Sequence, residues 1–417
     1  MARRRGFDVR VSSLDSYDLE KLPNTYMAVF IVSTTGDGEV PSNMKKFWQS
    51  LPMDSLAGMR FGVFGLGDSS YIKYNAAARK LHARLLQLGS TELVPRGLGD
   101  DQSPRGMWGD LDPWLSLLWT KLLNLCPLPS GIEPDDTPQL SPPLYSVNIV
   151  AGGESGVFDV ALQAEMEHGR REFLASVAPP GGMDASSTPV RAQLSHLLVN
   201  QRITAPDHFQ DVRHLELQME AGHTPPDKSG SEEATTLYKA GDVAWVQPKN
   251  TAESVETLAE MLCLNLNQVL RITPVHSTPS SDGVGLATEG CAPVPAPPFP
   301  PIVCSVGDLF SCHLDILGTP RRGFFERLSV FACDPDESEK LLELASPGGA
   351  DLLYEYATRE KRTYVEVLQD FPSCLPLALE RIIEIVPRLR PRAFSIASSH
   401  LETPGKVQLC VAVVSFR

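Results

Sequence analysis

Hydrophobic spacing changes character three times along the chain. Up to residue 125, short apolar runs alternate with helical periodicities. DVRVSSL (8–14), MAVFIVS (27–33) and RFGVFGL (60–66) read as strands, while 42–49, AAARKLHARLLQL (76–88, with Gly89 as a stop) and DPWLSLLWTKLLNL (112–125) read as helices. That βαβα rhythm predicts a doubly wound parallel sheet. From 126 to about 190, proline, glycine and serine dominate, broken by one strand-like run, LYSVNIV (144–150); a flexible connector is expected. Strand patterns return in LLVNQRIT (197–204), VRHLELQM (212–219) and GDVAWVQP (241–248). Helical spacing then fills 252–388 around a proline-rich stretch (277–301), and RAFSIASS (392–399) and VQLCVAVVSF (407–416) close the chain as strands. The second half is predicted to be a β-barrel carrying a helical insertion.

These periods divide the chain into an α/β unit (1–121), a connector (122–190) and a barrel unit (191–417) with its insertion at about 252–388. Composition adds little except through charge. Net charge is −14, but residues 1–121 carry +2 and the remainder −16, which argues against a nucleic-acid binder. Eight cysteines include no C-x-x-C pair, so reduced structural thiols are expected and no metal site. No run of eighteen apolar residues occurs and MARRRGF lacks a secretory apolar core, from which a cytoplasmic protein is expected.

The candidate chemistry lies where the strands of the first unit end. STTGDGEVPSN (33–43) follows AVFIV, FGLGDSSYIKYN (64–75) follows another apolar run, and Gly99, Asp100 and Asp101 form a third, acidic loop. In an open α/β sheet, ligands bind outside the carboxyl ends of the strands. An isoalloxazine ring needs flat groups on its faces and hydrogen-bond partners along its polar edge. Gly36, Gly65 and Gly67 would let backbone approach it. Tyr71 and Tyr74 are candidate ring covers, and Thr34, Thr35, Asp68, Ser69, Ser70 and Asn75 supply donors and acceptors. Either loop alone is also ordinary turn vocabulary; the three together favour flavin.

The three loops, in that order and spacing, resemble those of the flavodoxin-like domain in NADPH-dependent diflavin oxidoreductases. RPRAFSIASS (390–399), followed by VAVV (411–414), resembles the family's FAD-binding motif. QRIT, HFQDVRHLELQ and KRTYVEVLQDFPS extend the match to nearly everything but the connector. The resemblance implies a flavodoxin-like FMN domain followed by a ferredoxin-reductase-type FAD barrel. It implies FMN contacts from Ser33–Gly36, from Leu66 and Gly67 through Ile72, Lys73 and Asn75, and from Asp101, with Tyr71 over one ring face. The family has an aromatic residue where Thr35 stands, so the other face is expected to be less stacked. For FAD it implies Arg392 on the pyrophosphate, Ala393 beside it, Phe394 stacked on the ring and Ser395 as the catalytic group at its reactive edge. Arg362 would be a second cationic contact, although its neighbours Arg359, Lys361 and Arg381 equally suit a solvated helix face. Electrons would pass from NADPH through FAD and FMN to a protein acceptor. The soluble branch of cytosolic iron–sulfur assembly is the most similar, with anamorsin as the implied partner.

Two parts of the family pattern do not match within residues 1–417. The pattern opens with a central strand and a phosphate-cradling turn, and Arg3, Arg4 and Arg5 read as the end of the helix after it. A first strand missing from the sheet, a poorly folded 1–121 fragment and weak FMN binding are therefore expected. The segment completing the FAD site and the NADPH domain would follow Arg417. No G-x-G-x-x-G loop occurs, and SDGVGLATEG (281–290) reads as plain loop. The competing reading is an inert chain acting only as a flavin- or partner-binding module.

Overall fold

Four parallel strands build the first sheet in the computed structural model, which describes residues 2, 5–51, 56–128, 137–140, 142–151, 160–177, 195–219, 238, 241–275 and 299–414. Strand β1 (Met27–Ser33) and α1 (Lys45–Gln49) precede the central β2 (Arg60–Gly67). Then come α2 (Ala76–Gln87), β3 (Thr91–Glu92), β4 (Gly97–Asp100) and α3 (Trp108–Leu125). Every pairing runs through β2: β1 lies on one side, while β3 and β4 pair with its two ends. Side-chain alternation along β2 sends Phe61 and Val63 to one face and Gly62 and Phe64 to the other. The first face packs on Ala77, Ala78, Leu81 and Leu85 of α2, the second on Trp114 and Leu118 of α3. Helices thus cover both faces, as the doubly wound pattern requires. Burying each of these large apolar side chains contributes about 1.5–3 kcal/mol.

Helix α2 begins at the left-handed Asn75 (φ 54°) and stops where Gly89 takes φ 84°, the stop expected from the sequence. The run 8–14 forms no strand; a short 3₁₀ turn starts at Leu14 instead. Its hydropathy suits a strand, but strand structure needs a pairing neighbour, and none of the described strands takes it up.

Residues 145–177, assigned to the connector by composition, are built into the second half. Strand β5 (Tyr145–Ala151) pairs antiparallel with a strand more than a hundred residues later, and α4 (Val160–Val177) follows. Next come β6 (Ser195–Arg202), β7 (Asp211–Met219), β8 (Val243–Val246) and α5 (Ala252–Met261). The insertion is also not wholly helical. β9 (Val269–Pro274) and β10 (Ile302–Ser305) join β5 in a three-stranded sheet whose Leu270, Ile272 and Ile302 are buried. Around it lie α6 (Val306–Asp308), α7 (Arg322–Leu328), α8 (Pro335–Ala345), α9 (Ala350–Leu353), α10 (Tyr364–Asp370) and α11 (Leu379–Ile385). They share a core that includes Phe310, Phe325, Leu341 and Ile382.

The closing strands β11 (Arg392–Ser395) and β12 (Lys406–Val413) return to the antiparallel ribbons. β12 pairs with β7, and β7 with β6; β11 pairs with β8 and touches β12 through an Ile396–Leu409 bridge. Residues 129–136, 141, 152–159 and 178–190 of the connector, the stretch 276–298 and the segment 415–417 lie outside the described residues.

Candidate functional site

The three flavin-edge loops emerge together. Strand register places Ser33 beside Leu66, and Gly67 beside Asp100, so the loops after β1, β2 and β4 leave the same end of the sheet. The first loop is a tight turn closed by paired Thr35–Glu39 backbone bonds (3.0 and 2.8 Å), with Gly36 at φ 50° and Gly38 at φ 80°. Lys73 reaches back to Asp37 (2.9 Å), and Lys80 Nζ donates to the Gly38 carbonyl (2.8 Å). Thr34 Oγ1 accepts from the Ala77 N–H (3.2 Å), satisfying one of the first-turn donors of α2.

Loops two and three are stitched through carboxylates. Asp100 accepts from the Ser69 and Gln102 N–H groups (2.8 and 3.1 Å), and Asp101 N–H donates to the Gly67 carbonyl (2.9 Å). Asp68 accepts from the Ser70 hydroxyl (2.6 Å), the Ser70 N–H (2.9 Å) and Gln102 Nε2 (3.1 Å). Bonds from Ser70 hold the Asp68 carboxyl below its ordinary range, and bonds from Ser69 do the same for Asp100. Both carboxylates are fixed as acceptors that order the loops.

The two tyrosines divide. Tyr71 is 68% exposed and Ile72 fully exposed, so both stand free at the loop tip. Tyr74 is half-buried and its hydroxyl donates to the Leu98 and Gly99 carbonyls (2.9 and 3.2 Å), while burial pushes its phenol up. Tyr74 pins the third loop; Tyr71 is the one available to cover a ring.

Asn75 is the residue whose part sequence reasoning understated. Completely buried and left-handed, it donates from Nδ2 to the Gly99 carbonyl (3.0 Å), and its Oδ1 has no partner among the described residues. A Cβ on Gly67 would lie 2.6 Å from Asn75 Cγ, and one on Gly65 would lie 2.4 Å from its Oδ1. These two glycines make room for Asn75 beneath the loop, a tighter demand than ligand approach. Only the sequence G-x-G followed by a buried asparagine could have signalled it.

The FAD-motif residues lie on β11. Arg392, Ala393 and Ser395 are exposed and Phe394 is half-buried; alternation puts Arg392 and Phe394 on one face and Ala393 and Ser395 on the other. Trp245, in register with Ala393 and exposed, is an aromatic on this ribbon that the sequence reading passed over. Arg362 is held apart in the insertion: its Nη1 binds Asp370 (2.7 Å), its guanidinium stacks on Tyr356 (4.6 Å), and its Nε is buried with no partner among the described residues. Its charge is already engaged by Asp370 and Tyr356 rather than left to solvent.

The residues present fit the two flavins. The sheet end offers an exposed aromatic, an exposed aliphatic and preordered polar loops for a planar ring. The β11 ribbon offers an exposed guanidinium, a half-buried phenylalanine and an exposed hydroxyl.

The first part of the chain, residues 1–114, matches the flavodoxin family, and residues 186–417 match the FAD-binding domain family. The chain belongs to that FAD-binding family, which covers more than half of it, and with the flavodoxin match in front its two domains are of the kinds that take FAD and FMN. It is 40% identical to "NADPH-dependent diflavin oxidoreductase 1" of Danio rerio, 38% to that of Mus musculus and 34% to that of Arabidopsis thaliana. Each match covers the whole chain, which spans 64%, 64% and 63% of those relatives respectively.

Proposed function

We propose that the chain serves an oxidoreductase that passes electrons from NADPH to a protein acceptor. When bound, FAD and FMN supply the redox chemistry, dividing a two-electron donation into single-electron deliveries. The observation that carries the proposal is the joint presence of the three-loop sheet end and the β11 ribbon in one polypeptide. Ser33, Thr34, Thr35, Gly36, Leu66–Asn75 and Asp101 are assigned to FMN, with Tyr71 covering a face. Arg392, Ala393, Phe394 and Ser395 are assigned to FAD. Arg392 supplies a bidentate cation, Phe394 a stacking surface and Ser395 the hydroxyl at the reacting edge, with Arg362 as a second cation once released from Asp370. The corresponding division is 1–121, 122–190 and 191–417, with β5 and α4 of the middle stretch packed into the last unit. By resemblance, the acceptor is an iron–sulfur assembly factor such as anamorsin and the setting is the cytoplasm. No described helix is long and apolar enough to cross a membrane.

The test is reconstitution of the 417-residue chain with both flavins, flavin counting, and cytochrome c reduction driven in turn by NADPH and by dithionite. One FAD per chain, weaker FMN uptake that saturates at one per chain only in excess FMN, and dithionite-driven turnover under those conditions are expected; a chain that binds neither flavin refutes the proposal. A second reading, a flavin- or partner-binding module without NADPH turnover of its own, draws on the lack of any G-x-G-x-x-G loop in the 417 residues. Robust NADPH-driven reduction rules it out.

A further inference from the structure

Among the described residues, Arg322–Asp112 and Arg105–Asp351 are ion pairs that cross from the flavodoxin-like unit to the insertion, and they differ in kind. Arg322, at the start of α7, places Nη1 2.7 and 2.8 Å from the two carboxylate oxygens of Asp112 in α3. Its guanidinium lies 4.8 Å over the Trp108 ring, and its Nε donates to the Ala345 carbonyl. The pair is largely withdrawn from water, at 11% and 17% exposure. The second pair, Arg105 Nε and Nη2 to the Asp351 carboxylate (3.1 and 3.0 Å), is open to solvent at 51% and 74%.

Both grips fall on the elements that carry the third flavin loop. Arg105 lies between Asp100–Asp101 and α3, in a run of turns where Ser103 N–H donates to the Asp100 carbonyl (3.2 Å) and Gly106 N–H to that of Ser103 (2.7 Å). Asp110, in the first turn of α3, accepts from the Asp100 N–H (3.2 Å). The insertion therefore holds the flavodoxin-like unit by the segment that shapes the flavin edge.

We propose that Arg322 is the positioning residue that anchors the flavodoxin-like unit on the insertion, and that Arg105–Asp351 is a salt-labile clasp beside it. The functional consequence rests on the electron-transfer reading above. A fixed pose sets the separation of the two flavin sites, and loss of the clasp lets the unit turn about the Arg322 anchor. Exposed pairs are screened as the Debye length shrinks from ~10 Å at 0.1 M salt to ~3 Å at 1 M, whereas a pair sheltered by Trp108 and the α8 end is screened much less. Removing an exposed partner shifts the docked-to-open ratio by about fivefold or less. Removing one partner of the sheltered pair strands the other charge, a shift on the order of a hundredfold.

The experiment is small-angle scattering of the flavin-loaded full chain across ~0.1–1 M salt, together with the rate at which electrons photo-injected at FAD reach FMN. Wild type is expected to open modestly with salt. Arg105→Gln is expected to be slightly open and to lose that salt response, and the charge swap Arg105→Asp with Asp351→Arg to restore it. Arg322→Gln is expected to be extended at every salt concentration, with slowed transfer and unchanged flavin content. Asp112→Asn removes the same pair from the other side and is expected to match it, which covers misfolding of the first variant. Profiles and rates identical to wild type in both Arg322→Gln and Asp112→Asn overturn the anchor; an undiminished salt response in Arg105→Gln overturns the clasp. A wild-type chain with both flavins and no transfer between them counts against the electron-transfer reading, while extension of Arg322→Gln in scattering still supports the anchor.

Discussion

Gly67→Ala tests what the second loop's glycines are for. The three nearest atoms to a Cβ at this position all belong to Asn75: Cγ at 2.6 Å, Nδ2 and Oδ1 at 2.7 Å. Asn75 has no room to yield, because it is fully buried, left-handed and bonded to Gly99. Overpacking at such a site costs about 1–3 kcal/mol, so about 2 kcal/mol is expected for Gly67→Ala. Asn75→Gly keeps the left-handed backbone without strain and loses one hydrogen bond, about 1 kcal/mol. In the double variant the methyl occupies the vacated space, so the Gly67→Ala cost is cancelled and a coupling of about 2 kcal/mol appears. Gly65→Ala is the internal control: Ala78 Cβ, 2.9 Å from the new methyl, remains, so Asn75→Gly relieves that variant only partly. Urea unfolding of the flavin-free chain, followed by tryptophan fluorescence, measures the cycle. Four of the five tryptophans, Trp48, Trp108, Trp114 and Trp119, lie in the flavodoxin-like unit. If Gly67→Ala leaves apo stability untouched but weakens FMN binding, or if the two costs simply add, the glycine serves ligand approach and the packing argument is wrong.

The two loop tyrosines should separate by readout: Tyr71→Ala is expected to weaken FMN about two- to twelvefold, the equivalent of lost stacking, without lowering apo stability. Tyr74→Phe should cost about 1 kcal/mol of stability with less effect on affinity; fluorescence titration and urea melts decide, and the opposite pattern refutes the division. Because the Asp68 and Asp100 carboxyls are lowered in the folded state, their support is present above the unfolded value of about 3.8 and is lost as pH falls through the lower folded values. Ser69 and Ser70 amide signals should therefore hold steady from neutral pH down to about 4, and a transition well above that contradicts the assignment. Arg392→Lys, which keeps charge but loses the bidentate fork, should reduce FAD affinity about tenfold by equilibrium dialysis; unchanged affinity removes Arg392 from the site.

What the chain disclosed before folding was whatever local period and local vocabulary encode. The order of β1, β2 and α2 follows from the spacing of Phe30, Val32, Phe61 and Val63 on strands and Ala78, Leu81 and Leu85 on a helix, whereas the short β3 and β4, the latter holding Gly99 and Asp100, carry no such period. Three loops leaving one sheet end follow from parallel strands, so the flavin edge was legible as a place. The division of labour inside it was not. Tyr71 and Tyr74 are the same residue type three positions apart, and only the carbonyls of Leu98 and Gly99, more than twenty residues away, make one of them structural. Composition misassigned 145–177 for a related reason: Tyr145 earns its burial against Phe299 and its pairing from β9, partners that lie outside any local window. The same distance in sequence hid Arg322 and Asp112, which are 210 residues apart and unremarkable in their own segments. Long-range pairing is where this fold acquires both its strand content in the insertion and the grip on its flavin loops. The segment 8–14 makes the converse point, because a strand-like period that pairs with none of the described strands stays out of the sheet.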